Sequence, residues 1–334
     1  MLMRKILFTL LALLPLSVVA ASTDAYLFRM LDTNDGLPDN NVRNMVMLPD
    51  GLMAIQTSSM LNLYDGASCQ SYRYDPNIIP FNEYSGLSNL YYDVDEQLLW
   101  CTSRDHVWTF DLRRRTFQYD VNEHLRHFAL SADVVGFYLD AKGDYWVTTD
   151  DHALWRCNRQ KGVAERIDLL SGMEAPLAFA QHDDSLWMLS RNGLLACYDV
   201  AIGTFRQMVP YEGSMAAEGV SRMDMTITSG GNLWVMFDRE LLYYEVTKNR
   251  MLPVEGMQLQ KGDLFTTIAL DAQDNLWVGS ARSGVRIVDA KTLESHQLPY
   301  LQQTNGKRIY HHTDISKIYV DKRNGVWVAT LSEG

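Results

Sequence analysis

The sequence predicts an all-β protein, a seven-bladed β-propeller whose last blade is incomplete. A phrase made of Asn, Asp or Gly, an apolar residue, tryptophan and a second apolar residue recurs along the chain at intervals of 41 to 50 residues. Short alternating apolar runs separated by Gly, Asn, Asp and Ser fill each interval, which is typical of β-hairpins. With 334 residues, 47% hydrophobic and 21% charged, the chain can bury a large core.

The recurring phrase defines the blades. Its central positions are Met53, Trp100, Trp146, Trp187, Trp234, Trp277 and Trp327, the first copy having methionine in place of tryptophan. An interval of about 46 residues accommodates three or four strands, which is the size of a propeller blade. We therefore place blades near residues 41–78, 86–120, 131–168, 176–210, 220–255 and 262–300, with a partial blade at 312–334.

A second sequence feature repeats with the same period as the tryptophan phrase. An acidic or amide residue ends an apolar run eleven or twelve residues after each of the first six central positions, at Asp65, Asp111, Asn158, Asp199, Glu245 and Asp289. A constant large period with two aligned marks favours an array of similar sheets over a β-sandwich. Because one twisted sheet cannot bury both faces alone, packing the sheets around an axis lets each cover its neighbours.

The repeated tryptophan is predicted to be a core residue between blades. In the sixth copy, Leu276 and Val278 face one side of the strand, whereas Trp277 and Gly279 face the other. Small residues two positions after the tryptophan leave room where the sheets approach, at Thr102, Thr148, Gly279 and Ala329. Leu189 and Met236 depart from this pattern.

The N-terminus has the pattern of a secretion signal. Arg4 and Lys5 precede a long apolar run, and Val19-Ala20-Ala21 supplies the small residues of a cleavage site. We assign residues 1–21 to a signal peptide and residues 22–334 to the propeller, which predicts a periplasmic protein. No other stretch reaches the ~18 apolar residues of a membrane helix, so we expect no membrane contact by this portion.

The last copy of the phrase leads us to expect a fragment of a longer protein. Gly334 lies seven residues after Trp327, as the turn residue Gly284 lies seven residues after Trp277. About half a blade is therefore expected to be missing. A strand at residues 26–31 beside residues 326–331 would partly complete the blade, with an edge that remains prone to association.

Charge and cysteine content restrict the partners. Without residues 1–21, 28 Lys and Arg stand against 41 Asp and Glu, a net charge of −13, which argues against nucleic acid as a partner. The four cysteines, Cys69, Cys101, Cys157 and Cys197, form no C-x-x-C pair, so neither zinc nor a thioredoxin-type site is indicated. Three disulfide pairings are open, and we favour buried free thiols.

One stretch resembles a known family. Gly36-Leu37-Pro38-Asp39-Asn40-Asn41-Val42, the turn Asp50-Gly51 and the run Leu63-Tyr64-Asp65-Gly66 resemble the two-component regulator propeller repeat, and Gly86-Leu87-Ser88-Asn89 is a second echo. The resemblance extends from about Tyr26 to the end of the chain. It is to the N-terminal part of the periplasmic sensor in hybrid two-component systems of gut Bacteroidetes.

The resemblance implies a function. In that family two propellers precede a β-sandwich domain, a membrane helix, a histidine kinase and a response-regulator module, and the sensor binds oligosaccharides. An oligosaccharide is then the expected ligand of this chain, and the C-terminal sensor and kinase domains are its expected partners in the full-length protein. No kinase motif occurs in the sequence, so we expect no enzymatic activity from this chain. Homodimer formation is left open.

Four short motifs contain side chains of the types that bind metals or act in catalysis. His124 and His127 have a spacing that places two imidazoles on one helical face, but no third ligand accompanies them. The adjacent His311 and His312 point to opposite sides of a strand, and the acidic pairs Asp150-Asp151 and Asp183-Asp184 fit hairpin turns. We predict no catalytic residue, no cofactor and no metal.

Aromatic side chains in the loops between blades are candidate ligand contacts. They are Phe81, Tyr84, Tyr211, Tyr300 and Tyr310. Sugar binding uses aromatic faces and planar polar groups at one rim of a propeller or at its axial channel. As ligand-binding residues we choose Tyr84, Tyr211 and Tyr310, together with the neighbouring His311.

The sequence is therefore compatible with two hypotheses of function from different classes. The first is a ligand-sensing propeller that acts by binding; the second is an exported propeller enzyme acting on polysaccharide, a lyase or a glycosidase. An enzyme predicts His, Tyr, Arg or acidic residues with shifted pKa values at one mouth of the channel, whereas a sensor predicts aromatic and amide groups there. A third hypothesis is that the chain is a degenerate gene product that folds poorly.

Overall fold

Seven β-sheets stand in a ring around a common axis, which confirms the predicted seven-bladed β-propeller. The computed structural model describes residues 26–79, 88–103, 106–190, 192–209, 222–254, 256–310 and 314–334. The predicted signal peptide, residues 1–21, lies outside this range.

Six blades have four strands each, and the seventh has two within the described residues. In chain order, β1 (Leu27–Phe28) precedes blade 1, which contains β2 (Val42–Met47), β3 (Met53–Thr57), β4 (Met60–Tyr64) and β5 (Cys69–Arg73). Blade 2 contains β6 (Asn89–Asp93), β7 (Leu98–Ser103), β8 (His106–Asp111) and β9 (Thr116–Gln118). Blade 3 contains β10 (Val134–Leu139), β11 (Tyr145–Thr149), β12 (Leu154–Asn158) and β13 (Val163–Ile167).

The second half of the ring follows the same plan. Blade 4 contains β14 (Pro176–His182), β15 (Ser185–Ser190), β16 (Leu195–Asp199) and β17 (Thr204–Val209). Blade 5 contains β18 (Met223–Ile227), β19 (Leu233–Phe237), β20 (Leu241–Glu245) and β21 (Arg250–Pro253). Blade 6 contains β22 (Phe265–Leu270), β23 (Leu276–Ser280), β24 (Val285–Val288) and β25 (Ser295–Gln297). The hairpin of β26 (Tyr300–Gln303) and β27 (Arg308–Tyr310) leads to blade 7, with β28 (Ile315–Val320) and β29 (Val326–Thr330).

Helical structure is minor among the described residues. It consists of α1 (Asn122–Leu125) and the short 3-10 turns Thr33–Asp35, Arg126–Phe128 and Val246–Lys248. In the described part of the chain, no helix has the length and apolar character that crossing a bilayer demands.

Hydrophobic clusters lie between successive blades. Trp277 of β23 packs with Ile315 and Ile318 of β28, whereas Leu276 and Val278 face blade 5. This is the predicted alternation. The five repeat tryptophans of blades 2 to 6, one on the second strand of each blade, are at most 2% exposed, which confirms these five as core residues.

Gly279 shows why a small residue follows the tryptophan. A Cβ atom at this position would lie 2.6 Å from Cγ2 of Ile315 and 2.7 Å from Cγ2 of Thr267. Both distances are far below van der Waals contact, so blade 7 approaches the backbone of β23 directly.

The structure corrects the register of the first copy of the repeat. Ala54, and not Met53, stands opposite Val46 on the inner strand, as Trp277 stands opposite Ala269. Ala54 packs toward blade 2, and Met53 packs toward blade 7. A shift of one residue moves a side chain to the other face of a sheet, so alanine is the residue that replaces tryptophan here.

The predicted partner of the N-terminal strand was also wrong. β1 pairs in parallel with β26, with Leu27 opposite Gln302, rather than with β29 of blade 7. Together they form a three-stranded sheet, β1-β26-β27. The β26–β27 hairpin offers a free edge close to the cluster of Trp277 and Leu301, against which Phe28 packs.

Candidate functional site at the propeller axis

The inner strands carry a repeated irregularity that directs side chains to the axis. In five blades a β-bulge falls on the second residue of the inner strand, at Arg43, Val135, Leu177, Thr266 and Ser316. A bulge places two residues opposite one and re-aims a side chain. Four of these five residues, all except Val135, line a cavity on the axis.

This axial cavity has a volume of about 150 Å³. Inner strands of all seven blades line it, and most of its residues stand near the N-terminal ends of those strands. The connections between blades reach the inner strands at the same ends, so the cavity lies on the face of the propeller where those connections run. Ring closure, rather than any local motif, creates it.

Three aromatic side chains form one wall of the axial cavity. Tyr138 of blade 3 and Phe179 of blade 4 stack with ring centroids 4.8 Å apart and an interplanar angle of 13°. Tyr91 of blade 2 meets Tyr138 edge-on at 5.7 Å. Burial raises the pKa of both tyrosines well above its usual range, so their hydroxyls remain neutral and can donate hydrogen bonds.

Polar groups stand on the rest of the wall. Nζ of Lys317 lies 3.9 Å from Oδ2 of Asp224, a loose ion pair between two half-buried side chains. The hydroxyl of Thr266 is buried and makes no hydrogen bond within the described part of the protein. Asn89 adds an amide. The cavity thus offers charged, hydroxyl and amide groups beside the aromatic wall.

Ser316 has a different role at this position. Its hydroxyl donates a hydrogen bond to the carbonyl oxygen of Val42 at 2.5 Å, which ties the inner strand of blade 7 to that of blade 1. The ring is therefore closed at its innermost layer.

Of the four residues chosen from the sequence as ligand contacts, the structure describes Tyr310. Tyr84, Tyr211 and His311 lie outside the described residues. Tyr310 ends β27 and is 50% exposed. It packs edge-on against Tyr300 at 5.9 Å, and neither ring lines the axial cavity.

Sequence reasoning missed the aromatic wall. Tyr91, Tyr138 and Phe179 belong to inner strands that the sequence treats as ordinary apolar runs, and only the ring brings them together. An aromatic residue on the inner strand of three successive blades was the available signal.

The two histidines weighed as metal ligands have structural surroundings. Nε2 of His124 lies 3.0 Å from the hydroxyl of Thr109, and burial lowers the pKa of this imidazole. The ring of His127 packs on Phe128 at 3.9 Å. Over the described ranges, no three His, Cys, Asp or Glu side chains are grouped closely enough to hold a metal ion.

The cysteines are free thiols, as expected. Cys101, Cys157 and Cys197 are buried, and Cys69 is half-buried. Burial raises the pKa of Cys157 to about 12 and also raises the pKa values of Cys101 and Cys197. These thiols stay protonated at neutral pH and are poor nucleophiles.

Known proteins resemble this chain in structure rather than in sequence. No family model and no curated protein matches the sequence. The extracellular domain of BT3049 from B. thetaiotaomicron, assigned to a hybrid two component system, is similar with a TM-score of 0.65 and 16% identity over 92% of this chain and 41% of that one. The corresponding domain of BT4673 gives a TM-score of 0.66 and 16% identity over 92% of this chain and 39% of that one.

This chain therefore shares its fold with part of these extracellular domains. The chain spans about two fifths of the length of the matched structures. They belong to the same class of extracellular domain that the sequence motifs resemble.

Proposed function

We propose that this chain is a ligand-sensing propeller of an exported two-component sensor, and that it acts by binding an oligosaccharide. The observation that carries the proposal is the aromatic wall of Tyr91, Tyr138 and Phe179, which stands beside hydroxyl and amide groups at the propeller axis. The likeness in fold to extracellular sensor domains over 92% of the chain supports it.

The composition of the axial cavity suits a sugar. Ligand sites combine apolar and aromatic walls with a few polar groups that fix orientation. A pyranose has an apolar face for Phe179 or Tyr138 and hydroxyls for Thr266 and Asn89. At about 150 Å³ the cavity is smaller than the about 300–1,000 Å³ of typical ligand sites. It therefore receives one end of an oligosaccharide, and the remainder lies over the face of the propeller.

The enzyme alternative has less support in the same cavity. Glycoside hydrolysis requires two carboxyl groups about 5–10 Å apart. Among the described residues that line the cavity, Asp224 is the one carboxylate, and it faces Lys317. The raised pKa values of Tyr91 and Tyr138 keep these phenols protonated at neutral pH, so neither supplies a phenolate as general base. Binding is the function that these groups perform best.

Export to the periplasm and coupling to a kinase complete the proposal. In this scheme the sensor and kinase domains belong to the rest of the full-length protein, and ligand binding at the propeller changes their arrangement. Dimerisation of the sensor is part of the same scheme.

Calorimetric titration with a panel of oligosaccharides tests the proposal. We expect the folded protein to bind at least one oligosaccharide saturably. Phe179→Ala should lower the affinity about tenfold or more, because the stacking of the sugar face on the aromatic ring is removed while the sheet remains. Tyr310→Ala is the matched control and should bind as the wild type does.

Two outcomes contradict this assignment. If Tyr310→Ala loses affinity and Phe179→Ala does not, the ligand binds at the rim and the axial site is wrong. If incubation with polysaccharide releases shorter or unsaturated products, the chain is an enzyme and the sensor proposal fails.

A further inference from the structure

The charged side chains of the axial cavity lie on one side of the ring. The aromatic wall comes from three successive blades, blades 2, 3 and 4. The charged side chains among the described lining residues come from the remaining arc, and they are Asp224 on blade 5, Lys317 on blade 7 and Arg43 on blade 1. A ligand at the axis therefore meets an aromatic surface on one side and charged groups on the other.

Lys317 reaches the cavity because of the bulge in β28. A regular strand alternates its side chains between two faces, but the bulge at Ser316 lets both Ser316 and Lys317 line the cavity. Nζ of Lys317 lies 3.9 Å from Oδ2 of Asp224, which is well beyond the roughly 2.7–2.9 Å of a charge-assisted hydrogen bond. This pair is too loose to engage the ammonium hydrogens, so they can turn to a ligand.

The balance of charge in the cavity is positive. Oδ1 of Asp224 accepts the backbone N–H of Met225 at 2.9 Å, and its Oδ2 faces Lys317. Arg43 adds a second cation to the same lining. Two positive side chains thus stand against one negative side chain among the described lining residues, although the whole chain has a net charge of −11. The cavity therefore attracts an anion within an acidic protein.

The polar groups of the cavity are mostly hydrogen-bond donors. Lysine and arginine side chains donate and cannot accept. Burial raises the pKa of Tyr91 and of Tyr138 above its usual range, so both phenols stay protonated and can donate. The buried hydroxyl of Thr266, which has no partner in the described part of the protein, supplies a further donor. A ligand rich in acceptor oxygens matches this lining, and an ionised carboxylate accepts at both of its oxygens.

We infer that the axial cavity selects an acidic sugar, a uronate whose carboxylate lies against Lys317 and Arg43 while its ring stacks on the aromatic wall. This inference rests on the proposed function and names the class of oligosaccharide that the site takes. A carboxylate is compact, which suits a cavity of about 150 Å³. Hydrogen bonds to an ionised group are also about twice as strong as those between neutral groups, so the carboxylate decides which sugar enters the axis.

Pairs of oligosaccharides that differ in one group test the inference. One member of each pair ends in galacturonate, glucuronate or mannuronate, and the other is its carboxyl-reduced counterpart, with a hydroxymethyl group in place of the carboxylate. In calorimetric titration we expect at least one uronate to bind about tenfold or more tightly than its counterpart. The advantage should shrink as salt is added, because salt screens partly exposed charges.

Lysine variants locate the anion. Lys317→Gln should weaken uronate binding about tenfold and change the affinity for the reduced counterpart by less than about twofold. Lys317→Arg keeps the positive charge and should retain the preference for the uronate. Lys322→Gln is the matched control, since it removes the same charge from an exposed lysine in the turn between β28 and β29. It should bind both sugars as the wild type does.

An aspartate variant gives the opposite sign. Asp224→Asn removes the negative charge that faces Lys317 but keeps an amide oxygen for the N–H of Met225. We expect this variant to bind the uronate more tightly than the wild type does, because the carboxylate of the sugar no longer competes with that of Asp224. Weaker uronate binding by Asp224→Asn would overturn the placement of the anion beside Lys317.

The outcomes separate this inference from the proposed function. If an oligosaccharide binds but no uronate is preferred to its reduced counterpart, the selection of acidic sugars is wrong and the sensing proposal stands. If no oligosaccharide binds, acidic or neutral, the sensing proposal itself fails. Equal losses in Lys317→Gln and Lys322→Gln would mean general attraction by charge, and tighter binding of a 6-sulfated sugar would exclude the uronate. If Lys317→Gln does not fold, the sugar pairs on the wild-type protein decide.

Discussion

Three repeat tryptophans donate their indole N–H to an aspartate six residues earlier in the chain. The pairs are Trp146 with Asp140 at 3.0 Å, Trp277 with Asp271 at 3.2 Å and Trp327 with Asp321 at 3.0 Å. Each aspartate also accepts backbone N–H groups of the turn that follows it, at 2.8–2.9 Å. One carboxylate thus fixes both the hairpin turn and the orientation of the indole.

The spacing of six residues between Asp and Trp is present in the sequence, but the hydrogen bond from the indole N–H to the carboxylate is apparent only in the structure. The repeats that contain Trp100 and Trp234 have Val94 and Thr228 at the position of the aspartate. The indole nitrogens of these two tryptophans make no hydrogen bond in the described structure. The aspartate is therefore one solution among several for the same hairpin. Local sequence determines which blades use it.

The turn also explains the misplaced first copy. Gly51, with φ of 89°, lies three residues before Ala54, as Asp274, with φ of 63°, lies three residues before Trp277. In six of the seven blades a left-handed residue lies three residues before the central position, and in blade 4 Asp183 lies four residues before Trp187. The position of this residue marks the register better than side-chain size does.

Gly279 offers a test of close packing between blades. Gly279→Ala should lower the free energy of unfolding by about 1–3 kcal/mol, because its Cβ would overlap side chains of Ile315 and Thr267 that the core holds in place. Urea denaturation measures this change. Gly230→Ala is the control, since its Cβ meets no atom nearer than 3.9 Å; an equal loss in both variants would contradict the packing argument.

His124 makes the free energy of unfolding depend on pH, and the direction of this dependence follows from its burial. Burial lowers the pKa of His124 in the folded protein below the ordinary value of 6.5, so the unfolded chain takes up a proton at a higher pH than the folded one. The contribution to stability is complete above pH 6.5 and is lost as the pH falls from there through the folded pKa. We expect His124→Gln to unfold with a shallower dependence on pH over this window. Parallel curves of unfolding free energy against pH for the two proteins would refute the assignment.

At the scale of elements, one arginine joins two blades. Arg159, in the turn after β12 of blade 3, lies 3.3 Å from Asp93, the last residue of β6 in blade 2. The hydroxyl of Tyr145 donates to the same carboxylate, and the guanidinium stands 4.8 Å from the centre of that tyrosine ring. The side chain of Asp93 is 1% exposed, so these two partners stand where water would otherwise contact the carboxylate.

Arg159→Ala should therefore destabilise the protein by about 3 kcal/mol, at the lower end of the cost of breaking a buried ion pair, because Tyr145 still donates to Asp93. Arg114→Ala is a matched control. Its side chain is 83% exposed and stands 3.8 Å from Asp111, so we expect a change within about 0.5 kcal/mol. Chemical denaturation of both variants measures the difference, and similar losses would mean that the bridge between blades contributes little.

At the scale of the molecule, closure of the ring depends on inner strands. Ser316 bonds to Val42 across the junction of blades 7 and 1, and the amide of Ile318 donates to the hydroxyl of Thr267 at 3.2 Å across the junction of blades 6 and 7. The outer part of blade 7 lacks comparable support in the described structure, because β29 pairs on one side only.

This asymmetry predicts where the ring opens first. Amides of β29 should exchange with deuterium about tenfold or more faster than those of β23, since strands with fewer partners open at lower free energy. Hydrogen exchange followed by mass spectrometry compares peptides from the two strands. Equal protection would show that residues 26–31 stabilise the edge as well as a paired strand does.

The number of blades, their period and the burial of the five repeat tryptophans in blades 2 to 6 are predictable from the amino-acid sequence alone. These properties repeat, and a repeated unit that cannot bury its own faces has to stack on its neighbours. The axial cavity, the partner of β1 and the register of Ala54 become apparent in the folded ring and not before. The cavity joins one to three residues from each of seven inner strands, and β1 pairs with a segment more than 270 residues away. Such contacts leave no periodic trace in the sequence, because they depend on how the ring closes.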